Sequence, residues 1–282
     1  MRSFRYVVAD VFTDVPLAGN QLAVFTDARD LDPVTMQALA LEIGFSETVF
    51  VLPSQADAHV RMRIFTPRVE LPFAGHPTLG TAFVLGAPLQ LGVIRLETGA
   101  GVVPVELTRD ETGRIVFGRM TQPVPKVASF EREAELLAAL GVERSHLPVE
   151  AYDNGVLHVY VALEDEDAVR SVQPDIRALE TFDILGVNVF AGSGTAWKLR
   201  MFSAGDGVGE DAATGSACGP FACHLCRHGL LPWGEEVVVS QGAEIGRPST
   251  LYGRAVGSAD AIERVEVGGS AVVVARGEFR LP

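Results

Sequence analysis

Basic side chains are scarce in this sequence: 23 lysines and arginines stand against 36 aspartates and glutamates, a formal net charge of −13. So acidic a chain does not concentrate polyanions, and no Lys/Arg cluster interrupts it, so nucleic acid and membrane surfaces are not expected as partners. Cysteine is scarce too. Cys218, Cys223 and Cys226 crowd together and are odd in number, unlike a secreted disulfide framework. A reducing cytoplasm is the expected location. No Gly-x-Gly-x-x-Gly follows a strand signal and there is no P-loop, so nothing supports a nucleotide cofactor. The first ten residues carry too short an apolar stretch for a signal-peptide core, and Asp10 breaks it. The one long uncharged run, Leu71 to Ile94, holds three prolines, several glycines, His76 and Gln90, and is not expected to span a membrane.

What is present suits a well-packed enzyme. The chain has 282 residues and is 48% hydrophobic, ample for a core without disulfides or structural metal. Its 29 glycines and 16 prolines are scattered, as many short strands and turns require. Strand signals cover Phe4 to Thr13, Gln21 to Phe25, Thr48 to Leu52 and His59 to Phe65, and two more strands end near Met120. Asp32 caps a helix that runs from Pro33 to about Ile43 and stops at Gly44. A small-residue helix follows Phe73-Ala-Gly-His-Pro-Thr and reaches about Leu85. After a linker-like Gln122-Pro-Val-Pro-Lys the pattern starts again. A helix is expected at about Phe130 to Leu140, with strands around Val156 to Leu163, Gly186 to Phe190 and Lys198 to Phe202. Gly209-Glu-Asp-Ala-Ala-Thr-Gly-Ser-Ala-Cys-Gly then leads into a second small-residue helix. Strands at Glu235 to Ser240, Ser249 to Val256 and Arg264 to Arg276 close the chain.

Each half thus reads strands, glycine-rich turn, uncharged helix, strands, which suggests a duplicated unit. A helix apolar on every side must be buried on every side, as inside a wrapped sheet. Two such units facing each other would aim two helix N-termini, with free N–H groups and partial positive charge, at one substrate carboxylate.

Several residues can carry chemistry. Glu47 stands just before an apolar strand. It is either a solvated strand-start carboxylate or one held at a cleft, where desolvation would raise its pKa enough for it to take and return a proton. His76 is either a hydrogen-bonding histidine or a second acid/base or positioning donor. Glu210 and Asp211 can simply favour a helix dipole, yet Gly215 and Ser216 lie where an anion would bind. In Cys223-His-Leu-Cys-Arg-His the spacing of Cys and His invites a metal reading. Arg227 stands where c-type haem needs His, and no second, distant ligand pair for zinc stands out, so no metal is expected.

Taken together, Asp10-Val-Phe-Thr, Gly19-Asn-Gln-Leu-Ala-Val-Phe, Ser46-Glu-Thr-Val-Phe-Val, Ile64-Phe-Thr-Pro, Leu71-Pro-Phe-Ala-Gly-His-Pro and Gly209-Glu-Asp-Ala-Ala-Thr-Gly-Ser-Ala resemble the phenazine-biosynthesis PhzF-like isomerase family. The resemblance implies a diaminopimelate-epimerase-like α+β fold. It has two similar halves, each a mostly antiparallel barrel-like sheet around a central helix, with the active site between them. Residues 1–121 with 267–282 would form the N-terminal half and 122–266 the C-terminal half. The resemblance also implies a homodimer, no cofactor, and a small substrate bearing a carboxylate. Glu47 corresponds to the family's proton-shuttling glutamate, His76 to its histidine and Asp211 to its aspartate. Ser216, Gly215 and Gly75 correspond to the substrate anchors, and Ser46 joins them as a substrate-binding residue. Ala212 departs from the family, which often has proline there. Two other readings stay open: a two-base racemase or epimerase of the same fold, for which Cys218 is the nearest thiol, and a non-catalytic small-molecule-binding protein.

Overall fold

The computed structural model describes residues 2–203 and 208–281. The fold mixes α and β, with extensive sheet and few helices. The chain divides into two compact units, Met1–Thr121 with Gly268–Pro282, and Gln122–Val267.

In the first unit, β1 (Arg2–Val11), β2 (Asn20–Phe25), α1 (Pro33–Ile43), β3 (Glu47–Leu52), β4 (Val60–Phe65) and the two-residue β5 (Glu70–Leu71) lead into α2 (Gly75–Leu89). Strands β6 (Val93–Thr98), β7 (Gly101–Arg109) and β8 (Ile115–Gln122) follow. Pairing runs β1 antiparallel to β2, β2 parallel to β3, and β3 antiparallel to β4. Then β4 is antiparallel to β5 and parallel to β6, and β6 and β7 continue antiparallel to β7 and β8.

The second unit comprises β9 (Lys126–Ser129), α3 (Glu133–Leu140), β10 (Glu150–Asp153), β11 (Leu157–Ala162), α4 (Glu166–Ser171), α5 (Ile176–Leu179), β12 (Gly186–Ser193), β13 (Ala196–Ser203) and β14 (Glu210–Asp211). It goes on with α6 (Gly215–Arg227), β15 (Glu236–Gln241), β16 (Ser249–Gly257) and β17 (Ile262–Gly269). Its pairings repeat the first succession: β10 antiparallel to β11, β11 parallel to β12, β12 antiparallel to β13. Next β13 is antiparallel to β14 and parallel to β15, and β15 is antiparallel to β16. The last strand, β18 (Ala271–Leu281), returns to pair antiparallel with β1, as β9 pairs with β10.

Local chemistry explains the elements. The Asp32 side chain accepts from the N–H groups of Val34 and Thr35, and Gly44 ends α1 in the left-handed region at φ 70°. The uncharged helices are buried all round: every α6 residue from Gly215 to Cys226, and in α2 Gly75 to Val84 with Gly86. Helix α2 packs on β1, β2, β3, β6, β7 and β18, and α6 on β11, β15 and β16. The sequence expectation erred at several boundaries. β1 ends at Val11, not Thr13, because Phe12 takes φ 63°, which no strand continues. Helix α2 extends past Leu85 to Leu89 and carries Pro88 inside its last turn. The strand read as Val156 to Leu163 is the second arm of a hairpin, β10–β11, whose first arm was not foreseen. Helix α3 begins at Glu133 rather than Phe130, and α4 and α5 had no sequence signal singled out. Among the described residues no helix is long and apolar enough to cross a membrane.

Candidate active site

Two groups of expected residues come together, one in each unit. In the first unit, the Asp10 carboxylate accepts the Leu17 N–H at 2.7 Å and ties down the loop after β1. Gly19 closes that loop at φ 68°, where a Cβ would meet the Val11 carbonyl oxygen at 2.4 Å. The loop thereby delivers Asn20 to the start of β2. The Asn20 Oδ1 accepts the Ser46 hydroxyl at 2.9 Å, and its Nδ2 lies 3.2 Å from His76 Nδ1. The opposite ring nitrogen, His76 Nε2, lies 3.4 Å from Glu47 Oε2. Leu22 of β2 and Glu47 of β3 are register partners, so the sheet itself sets this approach. Glu47 is 9% exposed and His76 2%.

Protonation follows from this geometry. Burial drives the His76 pKa down to about 3, so the ring is neutral at ordinary pH. An amide whose Oδ1 accepts from Ser46 presents its Nδ2 donor to His76. Nδ1 meets that amide, Nε2 lies on the Glu47 side, and the Gln21 backbone also hydrogen-bonds the ring. His76 is thus a neutral neighbour of the carboxylate rather than a proton source, and its Nε2 makes no hydrogen bond among the described residues.

In the second unit, β14 places Asp211 6% exposed, and its Oδ2 accepts the Thr214 hydroxyl at 2.6 Å. Gln241 locks this turn. Its Nε2 donates to the Asp211 carbonyl at 2.9 Å and to Thr214 Oγ1 at 3.0 Å, while its Oε1 accepts the Thr214 N–H at 3.1 Å. Next to Asp211, Glu210 forms a two-pronged pair with Arg200 at 2.7 and 2.9 Å, and Arg200 Nη1 also donates to the carbonyls of Val169, Arg170 and Val172. Ser216 Oγ lies 3.0 Å from His158 Nε2.

Both buried helices start without a side-chain cap. In α2, Pro77 has no N–H and the Thr78 N–H already reaches the Ala74 carbonyl, which leaves the N–H groups of Gly75 and His76 at the helix start. In α6, Ala217 and Cys218 both donate to the Thr214 carbonyl, which leaves those of Gly215 and Ser216. Uncapped first-turn donors with a partial positive charge suit an anion.

Thiol and metal chemistry find less support. Cys218 is buried inside α6, where burial raises its pKa, and Cys223 and Cys226 are pushed up to about 12 and about 11. Such thiols stay protonated and inert. The fold does supply a distant partner for the helical histidines. Glu150 Oε2 lies 3.3 Å from His224 Nδ1 and 3.0 Å from His228 Nε2, a set that could hold a cation. Tyr152 donates to the same oxygen at 2.8 Å and Arg227 lies 3.4 Å from Oε1, so every one of these atoms is already engaged within the protein. Sequence reasoning missed Asn20, Gln241 and His158, whose partners are remote in sequence, and Thr214, which meets Asp211 three residues away. For Asn20 and Thr214 a signal existed, in the Gly19-Asn-Gln motif and in Gly209-Glu-Asp-Ala-Ala-Thr-Gly-Ser-Ala.

The model of the phenazine biosynthesis-like protein family matches residues 9–277. The chain is 51% identical to the trans-2,3-dihydro-3-hydroxyanthranilate isomerase of Pseudomonas aeruginosa, over 98% of this chain and 99% of that one. Among solved structures, a phenazine biosynthesis protein of the PhzF family from Bacillus anthracis superposes with a TM-score of 0.85 at 27% identity and covers 100% of both chains. A probable proline racemase from Agrobacterium radiobacter, crystallised with bound carbonate, shares the fold at a TM-score of 0.69 and 11% identity, covering 99% of this chain and 93% of that one. With the family model matched over nearly the whole chain and an isomerase 51% identical to it, the chain belongs to the phenazine biosynthesis-like protein family and is an isomerase.

Proposed function

We propose that the chain isomerises trans-2,3-dihydro-3-hydroxyanthranilate, or a close carboxylate-bearing analogue, by moving one proton within it. The observation that carries this reading is the buried Glu47 carboxylate 3.4 Å from His76 Nε2. Glu47 takes a proton from a ring carbon, and the electron pair released shifts through the adjacent double bond. The same carboxyl group returns the proton to another carbon, and the resulting enol tautomerises to the ketone. His76 Nε2, 3.4 Å from Glu47 Oε2 in the structure, would donate to the ionised carboxylate in the substrate complex and let go as the carboxyl becomes neutral. Ser216 with the N–H groups of Gly215 and Gly75 holds the substrate carboxylate, Ser46 contributes to binding, and Asp211 assists protonation.

The matching succession of strand pairings in the two units supports a duplicated architecture, each half a barrel-like sheet around a buried helix. Assembly as a homodimer and residence in a reducing compartment belong to this reading. The family resemblance supports the dimer, and the three free, buried cysteines suit reducing conditions.

The test is turnover of trans-2,3-dihydro-3-hydroxyanthranilate in heavy water, followed by NMR. Wild type should convert it with deuterium entering at carbon. Glu47→Gln should be slower by about 10²–10⁴-fold with unchanged circular dichroism. Normal turnover by Glu47→Gln would remove Glu47 from the mechanism. Binding with neither exchange nor conversion would favour the non-catalytic reading.

A further inference from the structure

Ser216 is gripped by the β10–β11 hairpin at both its backbone and its side chain. Pro220 has no N–H to give the Ser216 carbonyl its helical bond, and Asn154 Nδ2 supplies one instead at 2.9 Å. His158, wholly buried on β11, meets the hydroxyl: its Nε2 lies 3.0 Å from Ser216 Oγ. The other ring nitrogen, His158 Nδ1, is buried without a hydrogen-bond partner among the described residues.

That unpartnered nitrogen decides the tautomer. Burial takes the His158 pKa down to about 3, so the ring carries one proton. A proton on Nδ1 would be an orphaned buried N–H donor, a costly and rare arrangement, while a bare lone pair there costs less. A proton on Nδ1 would also make Ser216 donate its only O–H backwards, into the histidine. With the proton on Nε2, the ring donates to Ser216 Oγ, and the hydroxyl hydrogen is left to turn outward beside the uncapped N–H groups of Gly215 and Ser216.

We propose that His158 is a positioning residue: its Nε2–H occupies a lone pair of Ser216 Oγ and so commits the Ser216 hydroxyl to donate to the substrate's carboxylate. The proposal rests on the reading of Ser216 as the carboxylate anchor. The serine would then act as a pure donor at the anion site, and its rotor would be set before substrate arrives. His158 itself touches no substrate. A hydroxyl already supplied with a donor is also a stronger donor in turn, because hydrogen bonds in series polarise one another.

The experiment has two arms. In the first, ¹⁵N-histidine NMR of the wild-type protein reads the tautomer, with His158 assigned by its absence in His158→Gln. The expected signal is a protonated Nε2 and an unprotonated Nδ1 at neutral pH. The reverse pattern overturns the proposal, whatever the variants do. In the second, KM and kcat for trans-2,3-dihydro-3-hydroxyanthranilate are measured for His158→Leu, His158→Gln, Ser216→Ala and the His158→Leu/Ser216→Ala double variant. His158→Leu should raise KM about tenfold, the worth of one hydrogen bond to a charged group, with a smaller effect on kcat. His158→Gln, whose amide nitrogen reaches the Nε2 position, should restore KM to within about threefold, less than half the free energy of that bond. In the Ser216→Ala background the His158→Leu effect should vanish. An undiminished effect there means that His158 acts on the fold and overturns the proposal. If Ser216→Ala leaves KM unchanged, the anchoring role of Ser216 fails first, whereas a raised KM in Ser216→Ala beside a normal His158→Leu sinks only the positioning role. Should His158→Leu not fold, the wild-type spectrum and His158→Gln still decide.

Discussion

Replacing Asn20 by aspartate changes one atom type and should invert the hydrogen bonding of the first-unit site. Asn20 Nδ2 points at His76 Nδ1 from 3.2 Å and thereby favours a ring proton on Nε2, 3.4 Å from Glu47 Oε2. Aspartate keeps an oxygen for the Ser46 hydroxyl but has no N–H. The oxygen that replaces Nδ2 is satisfied only by a proton on Nδ1. A neutral His76 then turns a bare lone pair toward an ionised carboxylate. Loss of a hydrogen bond to a charged acceptor costs about 1.5–3 kcal/mol, and at about 1.4 kcal/mol per decade kcat/KM should fall roughly 10- to 150-fold at pH 7.

The pH profile should change shape as well as height. In the native protein burial holds the His76 pKa at about 3, so this ring does not titrate in the working range. A second carboxylate beside it favours the imidazolium and raises that pKa toward the ordinary histidine range. Below the raised pKa both nitrogens carry protons and Nε2–H faces Glu47 again, so the variant should regain part of its activity as pH falls from 8 toward 5. The assay is kcat/KM against pH, with ¹⁵N-histidine NMR to read the tautomer. An Asn20→Asp protein within threefold of wild type at pH 7, with His76 still protonated on Nε2, would refute the reasoning.

Two predictions concern stability. His76 and His158 are wholly buried, each with a folded-state pKa of about 3 against an ordinary 6.5. Between those values the unfolded chain binds protons that the native state does not, so stability falls as pH drops from about 6.5 toward 3, by up to about 1.4 kcal/mol per pH unit for each ring. Guanidinium unfolding at pH 7, 6 and 5 checks this, and a flat stability across that range contradicts it. Asn154→Leu should orphan the Ser216 carbonyl and cost about 1–3 kcal/mol in the same assay. Pro220→Ala restores the missing helical donor, so the double variant should recover most of that loss, and equal losses with and without it would show that the Asn154 bond is not what matters.

Much of this protein is legible in one dimension, wherever the deciding physics is local. Asp32 and Gly44 bound α1 because a cap and a left-handed stop act within a few residues. The lack of charge on α2 and α6 announces burial on all sides, since no face of either helix can stay in water at low cost. The motifs around Glu47, His76 and Asp211 marked candidate residues in both groups, while Gln241 and His158 lay outside every motif. The misread ends of β1 and α2 turned on backbone geometry at Phe12 and on a proline tolerated in a last turn, neither of which has a residue-level signature. Only the tertiary structure decided which partner the ring nitrogens of these histidines meet. Asn20 meets His76 across 56 residues and His158 meets Ser216 across 58. Chain folding, not composition or spacing, brings such a partner to within about 3 Å.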